Sequence, residues 1–200
     1  MRNFNKNYSL IRVFHAVPGG EEVDIYLNDK PFYKELDFTQ FTPYVYVPQG
    51  KYTLVAYVDG DLDKVLLREE IEVNNDELVT LAITGDTGDI QLLPIKEDKE
   101  LSSGSNSKIR FVHLVPNGRE VNILLDGNAE FSNVKFRDIT PYLEVAPKLY
   151  DVSVIASQNN MLINQDQIKV NPNRIYTFYA VGNAPNFEVM QSVDGATFLI

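Results

Sequence analysis

The 200-residue chain has no cysteine at all, and only two histidines. The missing thiol excludes disulfides, cysteine nucleophiles, zinc–thiolate sites and iron–sulfur clusters together. A sandwich built on this sequence has no disulfide to hold it and relies on non-covalent packing. No apolar run is long enough to span a bilayer, and the opening MRNFNKNYSL lacks the apolar core of a signal peptide. Basic residues are scarce too: the formal charge is −10, with about nineteen acids against ten bases in residues 1–100 and about nine against eight in residues 101–200. An acidic surface repels phosphates and anionic lipid, so neither nucleic acid nor membrane insertion is expected. Solubility is the simple account of the acid excess.

What the chain does have is itself, twice. IRVFHAVPGGEEVDIYL at Ile11 to Leu27 aligns without a gap on IRFVHLVPNGREVNILL at Ile109 to Leu125. The register holds through Phe38/Phe136, Thr42-Pro43-Tyr44/Thr140-Pro141-Tyr142, Val47/Val145 and Tyr52/Tyr150. After one deletion near residue 70 it resumes at Ile71/Ile168, Asn74/Asn171, Thr80/Thr177 and Gly85/Gly182. Apolar, turn and proline positions persist while charged positions drift, which marks a repeated fold. Each copy is long enough to bury its own core.

Within each copy the hydrophobic period is two, as in Ile11-Val13-His15-Val17 and Val23-Ile25-Leu27. Turn residues punctuate the runs: Pro18-Gly19-Gly20, Asn28-Asp29, Pro48-Gln49-Gly50, Asp59-Gly60-Asp61 and Asp126-Gly127. Short strands at this spacing predict antiparallel sandwiches, with at most a helical turn in Lys34 to Phe41. The expected layout is an N-terminal extension at 1–8, a first sandwich at 9–96, a linker at 97–107, a second sandwich at 108–192 and a tail at 193–200. The expected fold class is all-β, two tandem Ig-like or transthyretin-like antiparallel β-sandwich domains.

Four features carry a family resemblance: His15-Ala16-Val17-Pro18, Val23-Asp24-Ile25-Tyr26, Phe38 ahead of Thr42-Pro43-Tyr44, and Pro48-Gln49-Gly50-Lys51-Tyr52. With these, both copies resemble the bacterial domain of unknown function 4397 family. The second copy departs at Asn122, Leu124 and Pro147-Lys148-Leu149. The resemblance implies a sandwich, often duplicated, in secreted and surface proteins, and no transferable catalytic residues. A looser similarity, of architecture only, is to endospore-surface proteins made without a signal peptide.

Candidate chemistry is sparse. His15 and His113 occupy matching places before a proline turn. One histidine per domain makes no usual zinc site, so the expected role is structural, with the ring nitrogens bonded to the neighbouring turn. Asp59, Asp61, Asp63 and Glu70 have calcium-loop spacing, but Lys64 stands where that loop needs glycine. Solvated acids at a hairpin tip are the better account, and calcium binding there stays open. Tyr44 and Tyr142 are read as core-edge rings tying down a turn, with sugar stacking as the sharper alternative. No phosphate loop, nucleophile elbow or paired-carboxylate motif is present.

These observations lead to an expectation of no catalytic, metal or cofactor-binding residues. The expected function is a non-enzymatic structural or assembly protein of a bacterial cell or spore surface, associating with itself through its terminal extensions. Phe4, Tyr8, Phe198, Leu199 and Ile200 are the candidate assembly residues, because an extended aromatic tail can complete an open sheet edge in a neighbour. The alternative is a module binding carbohydrate or another surface polymer. The compartment follows the function, with the cytoplasm as its alternative.

Overall fold

Alternation of apolar and polar residues builds sixteen strands in a computed structural model that describes residues 7–198. The first domain contains β1 (Tyr8–Ala16), β2 (Val23–Leu27), β3 (Lys30–Leu36), β4 (Val45–Pro48), β5 (Gly50–Val58), β6 (Asp61–Val73), β7 (Leu78–Asp86) and β8 (Asp89–Lys96). The second contains β9 (Ser107–His113), β10 (Val121–Leu125), β11 (Asn128–Val134), β12 (Leu143–Val145), β13 (Leu149–Ala156), β14 (Leu162–Lys169), β15 (Ile175–Asn183) and β16 (Asn186–Val193). The chain divides into two units after Lys99, and each sheet draws its strands from one repeat.

Each domain is a sandwich of two four-stranded sheets in the same order. In the first they run β4-β1-β7-β8 and β3-β2-β5-β6; in the second, β12-β9-β15-β16 and β11-β10-β13-β14. Most pairs are antiparallel, as the turn spacing predicts. The difference is one parallel pair per domain, β1 with β7 and β9 with β15. Parallel neighbours need a long connection. Here most of that connection is the facing sheet, through which the chain passes before returning beside its first strand.

Local chemistry sets the turns. Asn28 and Asp29 take φ values of 47° and 60°, and Asp126 and Gly127 take 49° and 80°. Two successive left-handed residues twist a hairpin with the sense of its strands, which is why Asn, Asp and Gly occupy them. Lys34 to Phe41 forms no helical turn; it finishes β3 through Glu35, at φ 55°, and then makes a tight turn through Thr39, at φ 66°.

Ile11, Val13, Ile25, Leu54, Leu81 and Ile83 pack in the first core, and Ile109, Phe111, Ile123, Val152 and Phe178 in the second. Strand β1 is also buried on its outer side, where Phe14 stacks on Phe41 with ring centroids 4.0 Å apart. The strand therefore reads as a nearly continuous apolar run.

Candidate functional site

The two histidines are tied into matching turns. The Val17 N–H donates to Nδ1 of His15 at 3.3 Å, which leaves Nε2 to carry the hydrogen and donate to the Glu21 carbonyl at 3.0 Å. His113 repeats this with Val115 at 3.2 Å and Arg119 at 3.1 Å. Burial holds both imidazoles below their ordinary value of 6.5, opposed by those bonds to the backbone carbonyls. A neutral ring with both nitrogens engaged fixes a loop and leaves no lone pair for a metal. A Cβ on Gly118 would lie 2.6 Å from the His113 ring, so glycine is what lets that turn close over it.

A second duplicated feature is a buried polar spine. Arg12 donates Nε to the Thr80 hydroxyl at 2.7 Å, and that hydroxyl donates to Glu97 at 2.5 Å. The Arg12 guanidinium reaches Glu97 at 3.4 Å and lies over the rings of Phe41 and Tyr44. Tyr44 donates its hydroxyl to the same carboxylate at 2.8 Å. In the second domain Arg110, Thr177, Tyr142 and Asp194 stand in the same relation, with Arg110 3.7 Å from Asp194. Both tyrosines are thus committed to an internal carboxylate and present no free platform for a sugar.

The spine corrects two boundaries. Glu97 was expected to open the linker and Asp194 to lie in the tail, but both carboxylates are buried inside their own domains. A charge leaves water only where partners compensate it, and the Arg–Thr–Tyr sets do so. The chain beyond Asp194 continues in a short 3-10 turn, Gly195–Phe198, whose first three residues are buried. Thr197 accepts the Ile175 N–H there, so this segment is part of the second domain.

The remaining candidate residues disperse. Asp61 and Asp63 sit at the β5–β6 hairpin tip, while Glu70 lies nine positions along extended β6, roughly 25–30 Å from Asp61 at strand rise. Such a separation cannot close a calcium loop around one ion. Among the described residues no group of three or more His, Asp or Glu side chains converges to hold a metal. Of the assembly candidates, Tyr8 is not in a free extension: it opens β1, pairs with Pro48 of β4 and packs its ring edge-on to Tyr46. Phe198 is 63% exposed. Phe4, Leu199 and Ile200 lie outside the described residues.

A cleft that sequence reasoning missed opens at one end of the second sandwich. It has a volume of about 590 Å³, between the β9–β10 loop (Asn117, Arg119), the start of β14 (Leu162, Ile163) and the β15–β16 hairpin (Ala184, Pro185, Phe187). Met161 and Leu162 stand 47% and 54% exposed on its rim. Asn117 accepts the Ala184 N–H at 3.1 Å and braces the hairpin against the loop. Strand register identifies the counterparts in the first domain: Leu162 pairs with Ile155 as Val65 pairs with Tyr57. There Glu21, Leu66 and Ile90 enclose a dimple of only about 10 Å³. Lys64, in the place of Met161, donates to Glu21, in the place of Arg119, at 2.6 Å. The sequence signal was the change from Glu21 and Lys64 to Arg119 and Met161, which passes for ordinary surface drift.

Both copies match one family, described as a domain of unknown function (DUF4397), at residues 9–123 and 107–197. The chain belongs to that family. No curated protein matches the chain by sequence. Solved structures with a similar arrangement include a family 26 carbohydrate-binding module from Eubacterium rectale Amy13K in complex with maltoheptaose. It is 9% identical, over 94% of this chain and 99% of that one, with a TM-score of 0.29. Another is from the family 41 modules of streptococcal virulence factors that recognise alpha-glucan, 10% identical over 90% and 96%, with a TM-score of 0.28. Likeness at that level leaves the ligand to be argued from this chain's own residues. In these two copies of DUF4397 the histidine turn and the polar spine are shared; among the described residues the cleft at this end is open in the second copy and nearly closed in the first.

Proposed function

We propose that the protein is a non-catalytic binding module of a bacterial surface, in which the end cleft of the second domain takes the ligand. The observation that carries this reading is the cleft itself, about 590 Å³ against about 10 Å³ at the matching place in the first domain. A concave site of that size, mostly apolar with a few polar groups, is the usual form of a binding pocket. The histidines and buried acids, which would be the first candidates for catalysis, are occupied in holding the scaffold.

A second reading, self-assembly, draws on the exposure of Phe198 and on the edge strand β4, where Val45 and Tyr46 stand 39% and 55% exposed. An open edge with apolar side chains is a template for another chain. Size analysis across protein concentration separates this reading from simple ligand binding.

The decisive variant for the cleft is Arg119→Glu with Met161→Lys, which installs the ion pair that covers the first domain. A panel of glycans, soluble wall polymers and short peptides is screened against the native protein and this variant. The expected result is one ligand class bound by the native protein and lost by the closed variant, with thermal unfolding unchanged. Ligands bound equally by both would place recognition elsewhere.

A further inference from the structure

We infer that the cleft receives an extended aliphatic peptide segment carrying an acidic group, which adds to the edge of β14 and sets its carboxylate against Arg119. The inference rests on the reading of the cleft as the binding site and goes on to name the ligand's chemistry.

Three observations point to a peptide of this kind. The first is position. Strands β14 and β16 are each the last strand of their sheets, and the cleft lies where their ends meet the loops. The outward backbone groups of an edge strand have no ladder partner, so an incoming extended chain gains main-chain hydrogen bonds there. Asn164, next along β14, donates Nδ2 to the Phe187 carbonyl at 3.5 Å, while its Oδ1 is buried with no hydrogen-bond partner. A buried acceptor left unmade is costly, and this one lies on the strand whose edge the peptide would join.

The second is lining. Met161, Leu162, Ile163, Ala184 and Pro185 are aliphatic, and the one ring, Phe187, is buried. Sugars stack on open aromatic faces, which this cleft does not offer; branched aliphatic side chains fit its walls. Methionine adapts its shape to such partners.

The third is charge. The exposed Arg119 guanidinium makes no hydrogen bond or ion pair with the described residues, whereas neighbouring Glu120 is paired with Lys135. In a chain of net charge −10, an unengaged cation at the mouth of an apolar cleft favours a carboxylate, to which arginine offers two parallel donors.

The probe is a fluorescein-labelled eight-residue peptide alternating valine and threonine, with one aspartate at its centre. Two controls replace the aspartate by lysine or N-methylate alternate residues. The native protein is expected to bind the aspartate peptide, and both controls roughly tenfold more weakly, the scale of one charge-assisted contact. Arg119→Gln should lose a similar factor, and the Arg119→Glu, Met161→Lys pair should abolish binding with an unchanged melting curve. Equal binding of aspartate and lysine peptides, or undiminished binding by the closed variant, overturns the inference. If a glycan or a fatty acid binds and is lost on closing the cleft while the peptide does not bind, the module reading survives and the peptide inference falls. If nothing in either panel binds, both fall.

Discussion

At the same end of two sandwiches built from one repeated sequence, the first domain is sealed and the second is open. In the first, Lys64 reaches across to Glu21 over Leu66 and Ile90; in the second, Met161 and Arg119 stand in those places and no bridge forms. Beneath this difference the frame is the same, down to the tautomer of the histidine and the carboxylate that receives the arginine. An exposed ion pair contributes little to stability, so such residues change without endangering the fold. Duplication therefore lets the rim of one copy diverge while the shared frame stays the same.

The largest effects are expected where the domains agree. Glu97→Ala and Asp194→Ala each strand a buried guanidinium, and such losses cost about 3–5 kcal/mol. Hydrogen exchange should confine the damage of each variant to its own domain. If Asp194→Ala leaves the second domain's protection intact, the two spines are not equivalent and the comparison breaks.

A smaller, pH-dependent effect is expected from the histidines. Their folded values lie below 6.5, close to the value expected for the unfolded chain. Well above pH 6.5 both states are uncharged and the turn contacts are complete. Below 6.5 the unfolded chain takes up protons first, so stability falls as pH falls until the folded values are passed. The slope is at most about 1.4 kcal/mol per pH unit for each histidine. Urea midpoints between pH 7 and 5 measure it, and the double variant His15→Gln, His113→Gln should flatten the curve. A native midpoint that rises on acidification would contradict the burial argument.

The smallest effect concerns the rim. Glu21→Arg with Lys64→Met in the first domain should change stability by less than about 1 kcal/mol, because the lost pair is solvent-exposed. The same variant should give the first domain some affinity for whatever the second binds. A loss well above that figure would mean the bridge is part of the frame and the open rim of the second domain has a cost of its own.

Much of the frame was legible. The Thr-Pro-Tyr steps stood out as matched positions, and the threonines prove to receive the Val13 and Phe111 N–H groups at 2.9 Å. Tyr52 and Tyr150, also matched, both donate to the backbone at the start of their turns, to Pro48 and Ala146. The carboxylates of the spine are not legible as such, although the spacing that aligns Ile71 with Ile168 also aligns Glu97 with Asp194. An acid beside a polar, charged stretch looks like linker until its arginine, 85 positions away for Glu97, is known to face it.

The sequence by itself determined the strands, the turns and the fact of two similar domains, because period-two burial and left-handed turn residues act over a few neighbouring positions. Only the tertiary structure decided which charged residues are inside and which end is open. Those outcomes depend on side chains from distant segments: Arg12 with Glu97, and a loop, a strand and a hairpin around the cleft. One chain position cannot signal an energy that exists only when its partner arrives.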